Sequence, residues 1–146
     1  MKTTFIILVC LLITSITAQA TDTLPQGRWK VTQVTIEKNI DGNLQTAVYN
    51  TATAVESYVR CPKEWEINEQ TIIQRYPNGR EEASILYYVE GDLLTVRTTY
   101  EQQYQFSISG ENLTLITTYN YVNNLPTGHT ERISEKWTVV FKNTQL

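Results

Sequence analysis

A single histidine, His129, and two cysteines, Cys10 and Cys61, serve a chain of 146 residues. A metal centre of imidazole and thiolate needs several such ligands close in space, so the chain lacks the material for one. Nucleophilic catalysis through a histidine would have to run through His129. That residue sits in the loop Pro126-Thr127-Gly128-His129, with no nucleophile motif around it. Twelve Lys and Arg face 15 Asp and Glu, a net charge of −3, and no long basic run exists. This argues against nucleic acid or an anionic membrane surface as a partner. Past residue 20 no apolar run is long enough to span a bilayer as a helix. Helical periodicity is nearly absent, and no repeat, linker or low-complexity stretch interrupts the chain.

The first twenty residues are of another kind. Lys2 gives a positive start, residues 5–16 are almost wholly apolar, and Ala18-Gln19-Ala20 offers small residues to a signal peptidase. That three-part order is a secretory signal peptide over residues 1–20. The mature chain is then one domain, residues 21–146, exported to the periplasm or the medium. Cys10 leaves with the leader, so Cys61 stands alone and no internal disulfide is open to the mature chain. Cys61 reads as a small buried apolar residue, with an intermolecular bridge or reactive thiol as the other reading.

Short runs rich in Val, Ile, Thr, Tyr and Trp alternate with turn residues over the rest, which is the pattern of an antiparallel all-β domain. The first strand, near 29–36, changes phase. Trp29 and Val31 share one face and Val34 and Ile36 the other, so a bulge near Thr32 and Gln33 would turn both pairs inward. Asp41-Gly42 is a strong hairpin dipeptide. Residues 45–60 suit a strand with a loop, an irregular lid or a short helix, with Ala47, Ala52, Ala54, Val55 and Tyr58 as the apolar positions. Beyond them, Trp65 and Ile67 alternate with Glu64 and Glu66. Ala83, Ile85, Tyr87 and Val89 form one face, as do Leu94, Val96, Thr98 and Tyr100. Tyr104, Phe106 and Ile108 follow, then Leu113, Leu115, Thr117, Tyr119 and Tyr121, and last Ile133, Trp137, Val139 and Phe141. Eight or nine strands joined mostly by tight turns predict a single up-and-down β-barrel, which removes exposed edges.

Gly27-Arg28-Trp29, opening the first strand soon after a leader, resembles the Gly-x-Trp of the lipocalins. The layout is most similar to the small secreted lipocalin-like proteins of Bacteroidetes-type bacteria. It has a Cys-led strand, Cys61-Pro62-Lys63-Glu64-Trp65-Glu66-Ile67, an Asn78-Gly79 turn, and two Gly-x-Leu-type openings at Gly91-Asp92-Leu93-Leu94 and Gly110-Glu111-Asn112-Leu113-Thr114-Leu115. The chain departs from that pattern in its lone cysteine. It also has Lys142 where the family places an arginine over the first-strand tryptophan. The resemblance implies a calyx with Gly27 and Trp29 at its closed base, holding a small apolar molecule. No cofactor is expected.

The candidate ligand-binding residues are the aromatic ones on inward faces: Tyr87, Tyr100, Tyr104, Phe106, Tyr119, Tyr121 and Trp137. They either fill the barrel as core or line a pocket that grips a ligand by apolar contact and a few hydrogen bonds. Glu64 and Glu66 read as a solvated outer face, and no catalytic or metal-ligating set is assigned. The expected function is non-catalytic binding of a small hydrophobic or amphipathic ligand. The alternative is an envelope-associated or secreted interaction module whose filled barrel presents its loops to another protein.

Overall fold

A computed structural model describes residues 23–50 and 61–144. The expected leader with Cys10, and Ala52, Ala54, Val55 and Tyr58 of the 45–60 reading, lie outside the described residues, as does the side chain of Ala83. Nine strands are described: β1 (Gly27–Ile40), β2 (Asn43–Tyr49), β3 (Glu64–Ile67), β4 (Thr71–Arg75), β5 (Glu81–Glu90), β6 (Leu93–Arg97), β7 (Glu101–Ser109), β8 (Asn112–Asn124) and β9 (Thr130–Asn143). Neighbours pair antiparallel in the order β2-β1-β3-β4-β5-β6-β7-β8-β9, and a β1–β9 ladder closes the ring. The fold is an eight-stranded up-and-down barrel with one extra strand.

That extra strand has a definite place. β1 pairs with β3 along Gly27–Lys30 and with β2 along Val34–Ile40, both on the edge away from β9. β2 and β3 thus lie end to end beside one long strand. β2 ends the described sheet and has no second neighbour among the described residues.

The phase change expected in β1 is a bulge. Val31 faces Phe141 and Gln33 faces Val140, so Thr32 is the extra residue, and its hydroxyl donates to the Val140 carbonyl at 3.2 Å. The bulge brings Trp29, Val31, Val34 and Ile36 all to the buried side. Asp41 and Gly42 both adopt positive φ, +48° and +92°, which joins β1 to β2 as a primed two-residue turn. The Asn39 side chain accepts the Gly42 N–H at 2.8 Å and fixes the turn from within.

The core fills the end of the barrel where β1 begins. Trp29, Trp65, Phe141, Ile67, Ile72, Leu94, Leu113 and Leu115 are almost wholly buried there, and Leu24 closes the base from below. Full burial of each such side chain contributes about 1.5–3 kcal/mol. The Trp29 indole N–H donates to the Pro25 carbonyl at 3.1 Å, so the segment before β1 takes part in the closure. Lys142 does not lie over Trp29. It faces outward and pairs with Glu111 at 3.4 Å. Glu64 and Glu66 also face outward, but Arg75 bridges them at 3.0 and 2.9 Å, so they are partly covered and not freely solvated. Burial pushes the Cys61 thiol up to about 12, in keeping with a packed apolar role.

Candidate functional site

Strand length separates the two ends of the barrel. The β7–β8 ladder ends at the pair Gln105–Ile116, yet β8 runs on to Asn124 and pairs with β9 as far as the rung Asn124–Thr130. The stretch from Thr117 to Asn124 is roughly 25 Å of strand. β1 and β2 climb beside it. A four-stranded wall, β2-β1-β9-β8, therefore rises past the rim on one side, while β3, β4 and β6 remain short on the other.

Register decides which side chains occupy the inner side of this wall. Ile36 faces Trp137 and Lys38 faces Glu135 across β1–β9. Trp137 faces Thr117, Glu135 faces Tyr119 and Ile133 faces Tyr121 across β8–β9. Directly opposed residues share a face. Tyr119, Tyr121, Trp137, Glu135 and Lys38 thus form one cluster above the packed core.

Its geometry is ordered by the carboxylate. Tyr121 donates its hydroxyl proton to Glu135 at 2.7 Å, Trp137 donates its indole N–H at 3.2 Å, and the Lys38 ammonium lies 3.3 Å away. Partial burial works against the Glu135 charge. The three donors and the Lys38 charge outweigh it and hold the carboxyl below its ordinary range. The same contacts push the Tyr121 phenol and the Lys38 ammonium up. The Tyr119 and Trp137 rings meet edge to face, with centroids 6.2 Å apart, and Gln102 of β7 donates to the Tyr119 hydroxyl. Tyr119 and Tyr121 remain 39% and 41% exposed, so their rings stay accessible.

The other candidates lie elsewhere. Tyr87 is buried low in the barrel, and its hydroxyl donates to the carbonyls of Asn68 and Glu69 at 2.9 and 3.1 Å, tying β5 to the β3–β4 turn. Burial raises its pKa. Tyr104 packs edge-on against Trp65 with centroids 6.1 Å apart, and burial pushes its phenol well up. Phe106 packs against the same core. The Trp65 indole N–H is buried and finds no hydrogen-bond partner among the described residues. Tyr100 departs from the sequence reading. β6 ends at Arg97, and Tyr100 sits 74% exposed in the turn before β7, where its carbonyl accepts from the Thr98 N–H and hydroxyl at 3.1 Å. The alternation that carries Leu94 and Val96 inward stops before it reaches Tyr100.

Glu135, Lys38 and Gln102 had no place among the sequence candidates. A signal for the first was present: Glu135 interrupts the apolar alternation of Ile133, Trp137, Val139 and Phe141. Across the wall, on its outer side, a shallow concavity of about 520 Å³ is lined by Asn39, Asn120, Val122, Arg132 and Ser134 together with the Asp41-Gly42 turn. That surface offers amides, a hydroxyl and one guanidinium but no aromatic face except at its Tyr121 edge. The inner cluster is the better candidate for an apolar or amphipathic ligand. Among the described residues no three His, Cys, Asp or Glu side chains gather as a metal site, and no helix could cross a membrane. Comparison with protein-family profiles, with curated proteins and with solved structures finds no match in any of the three.

Proposed function

We propose that this chain is an exported, lipocalin-like barrel that binds a small amphipathic molecule at its rim without chemical turnover. One observation carries the reading. Three aromatic side chains, Tyr119, Tyr121 and Trp137, share a partly exposed inner wall directly above a packed core. Rings held in place and left half open gain by covering their apolar faces, at roughly 25 cal/mol per Å² removed from water. Lys38 and Glu135 add a polar point beside them, suited to the polar end of such a ligand. Glu135 is already satisfied by three donors, so it acts as a fixed acceptor and not as a proton-transfer group. The closed ring of eight strands and the Trp29 base support the family reading, and the leader supports export.

Titration with N-phenyl-1-naphthylamine, a dye whose emission rises in apolar surroundings, tests the site. Saturable binding is expected, weakened about tenfold by Trp137→Ala, since one aromatic contact contributes about 0.5–1.5 kcal/mol beyond its area. Tyr100→Ala should leave it unchanged. Absence of saturable binding, or indifference to Trp137→Ala, overturns the rim site. Native mass spectrometry of protein from its own host separates the two functional readings. A reproducible small-molecule adduct supports binding, and a stoichiometric protein companion supports the interaction module.

A further inference from the structure

The edge of β2, like that of β8 beyond Ile116, is left without a neighbouring strand among the described residues. β2 pairs with β1 on one side and has no described neighbour on the other. Exposed edges are ordinarily blunted by lysine, proline, a bulge or an inward charge. β2 reads Asn-Leu-Gln-Thr-Ala-Val-Tyr, with no charge and no proline, and its seven rungs with β1 run without a register shift. On its outer side, Leu44 and Val48 are 64% and 52% exposed, although the opposed positions on β1 are Asn39 and Thr35.

We infer that this edge pairs with the β2 edge of a second copy of the chain, the two strands running antiparallel about Thr46. A two-fold interface must be self-complementary, and the spacing within β2 meets that demand in one register. Centred on Thr46, all seven residues find a partner. Leu44 of each copy faces Val48 of the other, Thr46 faces Thr46, Gln45 faces Ala47, and Asn43 faces Tyr49. The exposed apolar residues then meet in two cross-strand pairs flanking a threonine pair, a combination that stabilises antiparallel ladders. Centring on Gln45 leaves Val48 and Tyr49 unpaired, and centring on Ala47 leaves Asn43 and Leu44 unpaired. No like charges oppose each other in the Thr46 register. The pairing joins two walls into one sheet of order β8-β9-β1-β2-β2-β1-β9-β8. A single-strand contact of this kind falls at the small end of interface sizes, so the dimer is a concentration-dependent one.

Charge placed on the two-fold axis tests this directly. Sedimentation velocity of the purified protein over a range of concentrations should show a monomer–dimer equilibrium. Thr46→Lys and Thr46→Glu each set two like charges face to face, and each alone should weaken the dimer by about tenfold or more. An equimolar mixture of the two should restore it, with native mass spectrometry showing one copy of each variant per dimer. Near-UV circular dichroism confirms that each variant keeps the native fold. If either charge variant loses that spectrum, the double variant Leu44→Gln, Val48→Gln carries the same test, again with a weaker dimer expected. A wild-type chain that stays monomeric at every concentration overturns the inference. So does a dimer that neither substitution weakens, or a mixture that fails to recover pairing.

Discussion

Trp65 and Trp137 both point to the inner side of the same barrel, yet they live in different surroundings. Trp65, in short β3, is buried on every side, with Phe141 tilted against it at 5.1 Å and Tyr104 edge-on. It has neighbours all round and, among the described residues, no partner for its N–H. Trp137, in the long wall, has Tyr119 beside it and a carboxylate to receive its N–H, and it remains partly exposed. At the base, ring on ring packing from opposite walls excludes water and makes a core. At the rim, the wall outgrows the strands that would face it, and the same residue types become a surface. What separates core from candidate site here is the height of the opposite wall, not the residue type.

The largest test of that contrast is the pair of truncations. Trp65→Ala should cost about 3–5 kcal/mol in urea unfolding, the usual range for emptying a packed aromatic site. Trp137→Phe, which keeps a ring but loses one hydrogen bond to a charged acceptor, should cost about 1–2 kcal/mol. Equal losses would erase the distinction between base and rim.

Glu135→Gln sharpens the rim side, with an expected loss of about 1 kcal/mol near neutral pH, since the pair with Lys38 is partly exposed. It also carries a pH signature. The folded Glu135 carboxyl is held below the unfolded value of 4.5, so it binds its proton less readily when folded. Its contribution is fully present above that value and is lost as pH falls through the lower folded pKa. Stability curves of wild type and Glu135→Gln should therefore converge below about pH 4.5. Curves that stay parallel through the acid range would show that the carboxylate is not held by its donors.

A smaller effect belongs to the outside of the base. Lys142→Ala should change stability by no more than about 0.5 kcal/mol, because Lys142 and Glu111 form an exposed surface pair. A loss of 2 kcal/mol or more would mean that Lys142 helps to close the base over Trp29 after all.

Much of this was legible in one dimension. The phase break between Trp29-Val31 and Val34-Ile36 located the Thr32 bulge, because burial demands that every apolar pair turn inward. Asp41-Gly42 located a primed turn, because only residues that tolerate positive φ can fill both positions. Tyr119, Tyr121 and Trp137 were found by alternation and share one face. The same alternation carried Tyr100 inward wrongly, since a turn had already ended the strand. Lys38 and Glu135 were missed because an inward charge acquires meaning only from a partner on another strand, nearly a hundred residues away.

The order of side chains along each strand, by itself, set which faces are apolar, where the chain turns and that a closed β-barrel would follow. Side-chain direction in a strand repeats every two residues and needs no knowledge of neighbours. Only the tertiary structure decided that β2 and β3 share one edge of β1, that the β2-β1-β9-β8 wall rises past the rim, and that Glu135 collects three donors there. Those outcomes depend on how far each ladder extends, and ladder length is a property of two strands together, fixed by long-range register.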